Sequence, residues 1–377
     1  MSSNVRYAVL ASLCLGFAVG SVVAAQRASG ASDPLDAVPR DSFFVATLQA
    51  EELRKSPVWE ALLGADATRA LGAGELAGAC GFDPLMRVER AAFAVPEAGE
   101  TGDFGVVARV RVTREELQKC TASLSERRGE RAHTRESGSF TVLEDEAGKR
   151  GAIAYGAGGL LVVGRGEWLE AMMRAADRRG PRVATSEDHA SLRRALTSRP
   201  GWSTPTVLAS ALLPDTLRAR LKDEMGAEVG AADGSKSAMG GVLGVVSVGL
   251  AVRVGGTGKN VDAIAELRCE TADGCKEVEK LILEKRLGWS RDITLRMLGF
   301  GELVDSLEAK ADGTRLVATA TARADGLAAA LERLQKVRRS RPLDGAPRPA
   351  PDVPPMPPRG PQRAPDERLP AKPAPSR

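Results

Sequence analysis

The chain has 377 residues, of which 43% are hydrophobic and 27% are charged, and its formal net charge is +4 at pH 7. This hydrophobic content is enough for a folded core, and the length is typical of one large domain or of more than one. Aromatic residues make up only 4% of the chain. The cations therefore lack the interleaved aromatic side chains that stack on bases, which argues against nucleic-acid binding.

The first predicted element is an export segment. Residues 7–25 are uncharged and mostly apolar, and they follow a short leader with one cation, Arg6. The segment is long enough to span a bilayer, and small residues suited to cleavage occur at Val22 and Ala24, at Val23 and Ala25, and at Ser29 and Ala31. Residues 1–32 are therefore predicted to be either a cleaved signal peptide or a signal anchor in the membrane. Either outcome places the rest of the chain in the periplasm or on the periplasmic side of the inner membrane.

Residues 33–200 are predicted to form a first α+β half. Period-2 apolar alternation indicates strands, period-3.6 patterns indicate helices, and Thr113 with Glu116 forms a capping box that begins a helix. In chain order, the predicted elements are a strand at 41–48, a helix at 50–63, strands at 88–95 and 104–112, the capped helix, strands at 139–145, 151–155 and 160–163, and a helix at 167–176.

Residues 201–340 are predicted to form a second half with a similar order of elements. These are a strand at 204–213, a helix at 214–225, strands at 243–254 and 261–268, a helix after Thr271, strands at 304–309 and 315–322, and a helix at 324–337. The repeated order indicates an internal duplication, with an antiparallel sheet and helices packed on one face in each half. The uncharged stretch 238–252 is shorter than a membrane span and rich in Val and Gly, which favours a buried strand.

Residues 341–377 are dominated by proline and contain few large apolar side chains. Such a segment cannot build a core, and it is predicted to be a disordered tail that favours extended polyproline II. Two interpretations stay open, a solvated spacer and a ligand for a partner protein of the cell envelope.

Four cysteines follow the export segment, namely Cys80, Cys120, Cys269 and Cys275. An even number outside the cytoplasm indicates two disulfides, and three pairings are possible. The pairing of Cys80 with Cys120 and of Cys269 with Cys275 is favoured because each bond then lies within one half. Zinc binding is disfavoured since no Cys-x-x-Cys spacing occurs and no histidine lies near a cysteine in the sequence.

Catalytic motifs are scarce. The two histidines, His133 and His189, are predicted to lie on the surface, and no Gly-x-Ser-x-Gly elbow supplies a nucleophile. The stretch 254–260 lacks the first glycine and the hydroxyl residue of a phosphate-binding loop and is predicted to be a hairpin turn. The sequence therefore predicts no catalytic residue, no cofactor site and no metal site.

The junction between the halves supports a rival hypothesis. Trp202 lies beside prolines and a glycine there, and Glu187, Asp188 and His189 precede it closely. If these groups converged on a groove between the halves, the chain would be an extracytoplasmic hydrolase or a ligand-binding protein. A non-enzymatic binding or scaffold role in the envelope is the favoured hypothesis.

Several short motifs resemble those of a group of exported proteins from GC-rich Gram-negative bacteria that have no assigned activity. The likeness spans most of the first half and implies a location in the cell envelope, but it implies no reaction. The motifs are Cys80-Gly-Phe-Asp-Pro-Leu, Ala92-Phe-Ala-Val-Pro-Glu97, Gly102-Asp-Phe-Gly105 and Gly164-Arg-Gly-Glu-Trp-Leu169.

Overall fold

The computed structural model describes residues 33–63, 73–97, 104–129, 132–145, 151–219, 242–255 and 259–340. Its strands form one antiparallel sheet of 12 strands, so the fold is α+β as predicted. The strands are β1 Ser42–Gln49, β2 Val88–Pro96, β3 Gly105–Val110, β4 Ala132–Ser137, β5 Phe140–Asp145, β6 Ala152–Gly156, β7 Leu160–Gly164, β8 Val207–Leu212, β9 Val245–Val254, β10 Asn260–Cys269, β11 Glu308–Asp312 and β12 Arg315–Arg323.

Helices form where the sequence pattern predicts them, and two of these begin at threonine caps. The Thr113 hydroxyl accepts from the Glu116 amide at 3.1 Å, and the Thr271 hydroxyl accepts from the Gly274 amide at 3.1 Å. Further helices at Ala73–Cys80, Ile293–Leu298 and Gly301–Asp305 were not predicted. The helices with defined bounds are α1 Ala50–Arg54, α2 Pro57–Leu63, α3 Ala73–Cys80, α4 Arg114–Arg128, α5 Gly166–Ala176, α6 Glu187–Thr197, α7 Ala272–Arg291, α8 Ile293–Leu298, α9 Gly301–Asp305 and α10 Ala324–Ser340. Residues 215–219 are also helical, as predicted for 214–225, and the rest of that predicted helix lies outside the described residues.

The pairing of β1 with β8 lies in the middle of the sheet. The strand order is β11, β12, β10, β9, β8, β1, β2, β3, β7, β6, β5, β4. The strands of the first predicted half therefore continue into those of the second without a break. The internal duplication stays a prediction. By its contacts the chain forms one compact unit that ends at Gln335, and a second unit begins at Lys336.

Helices lie on both faces of this sheet. Neighbouring residues of a strand point to opposite faces, and in β10 Ile264 packs with Leu196 of α6, whereas Leu267 packs in the cluster of Val278 from α7. A further cluster joins α5 to the first strands, where the fully buried Met172 packs in one core. The strand residues of that core are mainly Val45, Ala92, Ala94, Val107, Val142, Ala154, Leu160 and Val162.

Some predicted elements were wrong in their bounds. The helix predicted at 50–63 is two helices, because Pro57 has no amide hydrogen to continue the first and instead begins the second. The strand predicted at 304–309 begins only at Glu308, since residues up to Asp305 form α9. This helix is held by a long-range contact, in which the Glu302 carboxylate accepts from the Arg323 amide at 3.2 Å.

Strand β4 was not predicted at all. Its side chains from His133 to Glu136 are exposed, so the segment has no alternation of buried apolar residues. It is an edge strand held by its backbone pairing with β5, and charged side chains are typical of such edges. The strand predicted within 238–252 is confirmed from Val245 onward as the start of β9, and residues 238–241 lie outside the described residues.

Both disulfides join the cysteines that the sequence analysis favours. Cys80 at the end of α3 is bonded to Cys120 of α4, with 4.1 Å between their Cα atoms. Cys269 at the end of β10 is bonded to Cys275 in the first turn of α7, with 5.6 Å between their Cα atoms. Within the described ranges, no helix has both the length and the apolarity needed to cross a membrane. The export segment lies outside the described residues.

The turn between β6 and β7 offers a matched test of backbone strain. Gly158 and Gly159 have φ values of 71° and 77°, and a Cβ at Gly159 would lie 2.5 Å from the Val110 carbonyl oxygen, whereas one at Gly158 would meet nothing within 4 Å. A left-handed alanine costs about 1–2 kcal/mol. We expect Gly158→Ala to lower the free energy of unfolding by about that amount and Gly159→Ala to lower it more, because the added clash is with backbone. Urea unfolding measures both, and equal losses would contradict the structure.

The two disulfides close loops of different length, with sequence separations of 40 and 6. The loop-entropy model therefore expects loss of the Cys80–Cys120 bond to lower the free energy of unfolding by about 4 kcal/mol, and loss of the Cys269–Cys275 bond by about 2 kcal/mol. Paired Cys→Ala variants in urea unfolding check this order. A larger loss for the short loop would show that loop entropy does not govern either bond.

Candidate functional site

Buried polar side chains concentrate beneath helix α6, which packs on the central strands. Its inward face consists of His189, Leu192, Arg193 and Leu196, all of them buried. Their spacing of three and four residues is that of a helix face packed on a core. Two of these four positions, His189 and Arg193, carry polar side chains where apolar ones are usual. This face therefore makes hydrogen bonds to the strands as well as packing on them.

His189 is fully buried and both ring nitrogens have partners. Nε2 lies 2.9 Å from the Ser42 carbonyl oxygen, and Nδ1 lies 2.8 Å from the Ser210 hydroxyl. A carbonyl can only accept, so Nε2 carries the proton and Nδ1 accepts from Ser210. Burial is the main cause that lowers the pKa of His189 below its ordinary value. The neutral ring thus ties β1 to β8.

Arg193 is 9% exposed and joins the same two strands one turn further along α6. Its Nη1 donates to the Leu208 carbonyl oxygen at 3.0 Å, and its Nη2 donates to the Thr47 hydroxyl at 2.7 Å. Thr47 and Leu208 are directly paired in the β1–β8 register, and the Thr47 hydroxyl donates to the Leu208 carbonyl at 3.2 Å. Desolvation lowers the pKa of Arg193 to about 10, so the guanidinium is still protonated at neutral pH.

A cavity of about 180 Å³ lies beside Arg193 at the end of the β1–β8 pair. Arg90 and Asp33 also line it and form an ion pair with 3.3 Å between Nη1 and Oδ2. The cavity thus combines a buried cation, hydroxyl groups and apolar walls. Its other lining residues are Pro34, Leu35, Thr47, Leu48, Gln49, Ala91, Thr197, Ser203, Thr204, Pro205 and Leu208.

The groups proposed to converge at the junction do not do so. Glu187 and Asp188 are exposed, whereas His189 is fully buried and was wrongly predicted to lie on the surface. His133 is exposed, as predicted. Trp202 packs against the cluster of Leu196 and Ile264, with the Arg253 guanidinium 5.1 Å from its ring centroid. Trp202 is therefore not brought together with either carboxylate.

A second buried charge was also missed by the sequence analysis. Glu266 of β10 is 1% exposed, and its Oε2 lies 2.5 Å from Arg315 Nη2. Arg268 Nε lies 3.6 Å from Oε1, and Arg199 Nη2 lies 4.0 Å from Oε2. Three arginines thus compensate this carboxylate, as burial of an anion requires. The charge of Glu266 is thus balanced by neighbouring arginines. Arg193 differs, because its two hydrogen bonds reach neutral oxygens.

Larger grooves elsewhere are more open to solvent than this cavity. One of about 640 Å³ lies at Arg135, whose guanidinium is 2.6 Å from Glu170 and 3.2 Å from Glu144. Among the residues that the structure describes, no group of three or more histidine, cysteine or carboxylate side chains could hold a metal ion. The cavity beside Arg193 is therefore the candidate site.

No family model matches this chain, and no curated protein matches it. Structures of TP0453 are similar to it at 11–12% sequence identity. Crystal form III covers 80% of this chain and 99% of that chain with a TM-score of 0.46, and crystal form I covers 81% and 98% with a TM-score of 0.44. Crystal form IV covers 80% and 97% with a TM-score of 0.45. A likeness at this level assigns neither a family nor a function.

The buried histidine makes stability depend on pH. Because the pKa of His189 is lowered in the folded state, the unfolded chain takes up a proton first as the pH falls below about 6.5. Its contribution to the free energy of unfolding is complete above that pH and is lost as the pH falls towards the lowered pKa. We expect His189→Gln to reduce the loss of stability between pH 7 and pH 5.

The matched control is His133→Gln, because this second histidine is exposed on an edge strand. Urea unfolding at each pH unit gives the slope for the unaltered chain and both variants. An unchanged slope in His189→Gln, or an equal reduction in His133→Gln, would show that His189 does not cause the acid sensitivity.

Proposed function

We propose that this chain is an extracytoplasmic protein of the cell envelope with a non-enzymatic binding role. The two disulfides are the observation that carries the proposal. All four cysteines in the described ranges are bonded, and structural disulfides persist in oxidising compartments but are rare in the cytoplasm. The apolar segment at residues 7–25 supports the same location, because it has the length and composition of an export signal.

The geometry at the junction favours binding over hydrolysis. A general base must act on a nucleophile that a substrate can reach. His189 does accept from the Ser210 hydroxyl, but both residues are fully buried, so no substrate reaches this pair. The exposed Glu187 and Asp188 lie on the outer side of the same helix. The cavity beside Arg193 has the features of a small binding site, with apolar walls and a few placed polar groups.

Two contacts with the envelope form part of the proposal. The N-terminal segment would hold the chain in the membrane if it is not cleaved. The tail at 341–377 would reach an envelope partner, because proline-rich chains are extended and are bound by groove-type domains. Capture of membrane proteins by the full chain and by a chain that ends at residue 340 compares tail-dependent with tail-independent partners.

Counting free thiols in the exported protein tests the compartment directly. The full chain is expressed in a Gram-negative host, quenched in acid, denatured and labelled with a maleimide of known mass. We expect one label, on Cys14, if residues 1–32 are retained and none if they are removed, because the other four cysteines are bonded.

A chain that lacks residues 1–25 is the control, because it stays in the reducing cytoplasm, and we expect four labels on it. Reduction before labelling adds four labels to the exported chain. Four reactive cysteines in the exported, unreduced protein would contradict an oxidising location.

A further inference from the structure

Arg193 is a buried cation whose charge is not neutralised by its own contacts. Its hydrogen bonds reach the Leu208 carbonyl and the Thr47 hydroxyl, which are both neutral. Burial lowers the pKa of Arg193, and the charge of Asp33 opposes this lowering. Among the described residues, however, no carboxylate forms an ion pair with Arg193 within 4.0 Å, and Asp33 is paired with Arg90. A guanidinium has more N–H donors than these two bonds use, and a buried charge is costly unless it is paired.

The charges around the cavity sum to one excess positive charge. Among the described residues that line it, Arg193 and Arg90 are the cations and Asp33 is the anion. Asp33 is already engaged, because it pairs with Arg90 at 3.3 Å and accepts from the Leu35 amide at 2.9 Å. A ligand with a single negative charge beside Arg193 would therefore bring the net charge of the cavity lining and ligand to zero.

The size and lining of the cavity restrict the ligand further. The volume of about 180 Å³ lies below the roughly 300–1,000 Å³ of pockets that hold drug-sized ligands, so the cavity suits a smaller molecule. Leu35, Leu48 and Leu208 offer apolar walls, and Ser203 and Thr204 offer hydroxyls at an exposed rim. These features suit a short chain with one charged end.

We propose that this cavity binds a short-chain organic monoanion whose carboxylate pairs with Arg193. A planar guanidinium and a carboxylate match in two parallel hydrogen bonds, which gives direction as well as charge compensation. The alkyl part lies against the leucines. The inference rests on the proposed binding role and names its ligand class. Inorganic phosphate fits less well because its second negative charge exceeds the single positive charge of the site.

Leucine methyl signals test the proposal on the unaltered protein. The full chain, labelled at leucine methyl groups and held in a non-ionic detergent, is titrated with butyrate, and with 1-butanol and butylamine as probes that are neutral and cationic. We expect saturable shifts with butyrate at Leu35, Leu48 and Leu208, and none at the exposed Leu287. A small ligand gives a dissociation constant in the millimolar range.

Arg193→Met and Arg194→Met form a matched pair of variants. Arg194 is the next residue of the same helix, but its side chain is 66% exposed and pairs with Glu187 at 3.7 Å. Methionine at 193 leaves neither the Leu208 carbonyl nor the Thr47 hydroxyl without a hydrogen bond, because the hydroxyl still donates to the carbonyl. We expect butyrate to bind at least about tenfold more weakly to Arg193→Met, since a charge-assisted pair is lost, and to bind Arg194→Met as it binds the unaltered chain.

Three results would overturn the proposal: no saturable shift with butyrate, equal shifts with butanol, or unchanged butyrate binding in Arg193→Met. Binding of inorganic phosphate without binding of butyrate would also overturn it. If Arg193→Met does not fold, the ligand series on the unaltered chain decides alone. Failure here leaves the thiol count unchanged, so the ligand class and the envelope location are judged by separate measurements.

Discussion

The antiparallel pairing of β1 with β8 is the contact on which the rest of the structure depends. These strands are far apart in the chain, yet Phe44 to Leu48 pair with Ala211 to Val207 at the centre of the sheet. Every other strand is added outward from them through β2 on one side and β9 on the other. Loss of this one pairing would divide the sheet into two, each with a new exposed edge.

Helix α6 secures that pairing with polar contacts rather than with packing alone. His189 bonds to Ser42 and Ser210, and Arg193 bonds to Thr47 and Leu208, so each side chain reaches both strands. A slip of one residue would turn the side chains to the other face and leave these groups buried without partners. Because such orphaned groups are costly, the network disfavours every other register.

The same arrangement creates the candidate site. Arg193 of α6 bridges the two strands with a buried guanidinium, and the paired strands supply only neutral oxygens to it. Glu266 is a buried charge of the same fold that is balanced, because three arginines form ion pairs with it. The cavity thus lies beside an arginine that holds the strands together and whose positive charge has no ion-pair partner among the described residues. This buried charge, together with the two disulfides, is the basis of the proposed binding role.

The sequence by itself determined the local structure and the covalent constraints. Thr113 with Glu116 marked a helix start because capping uses neighbouring residues, and the cysteine positions favoured the pairs that are bonded. Apolar alternation located strands such as β1 and β10, but it could not locate β4, whose exposed side chains carry no such pattern. Local patterns also misplaced α9, which is held through Glu302 by a residue of a later strand.

Only the tertiary structure decided the site. His189 and Arg193 lie four residues apart on the buried face of α6, and this spacing was the one available signal, but charged residues at such positions usually face solvent. Their partners are distant in the chain, with Thr47 separated from Arg193 by 146 residues. The environment of both side chains, and hence the pKa of each, follows from the β1–β8 pairing. That pairing is a non-local contact that no short stretch of sequence encodes.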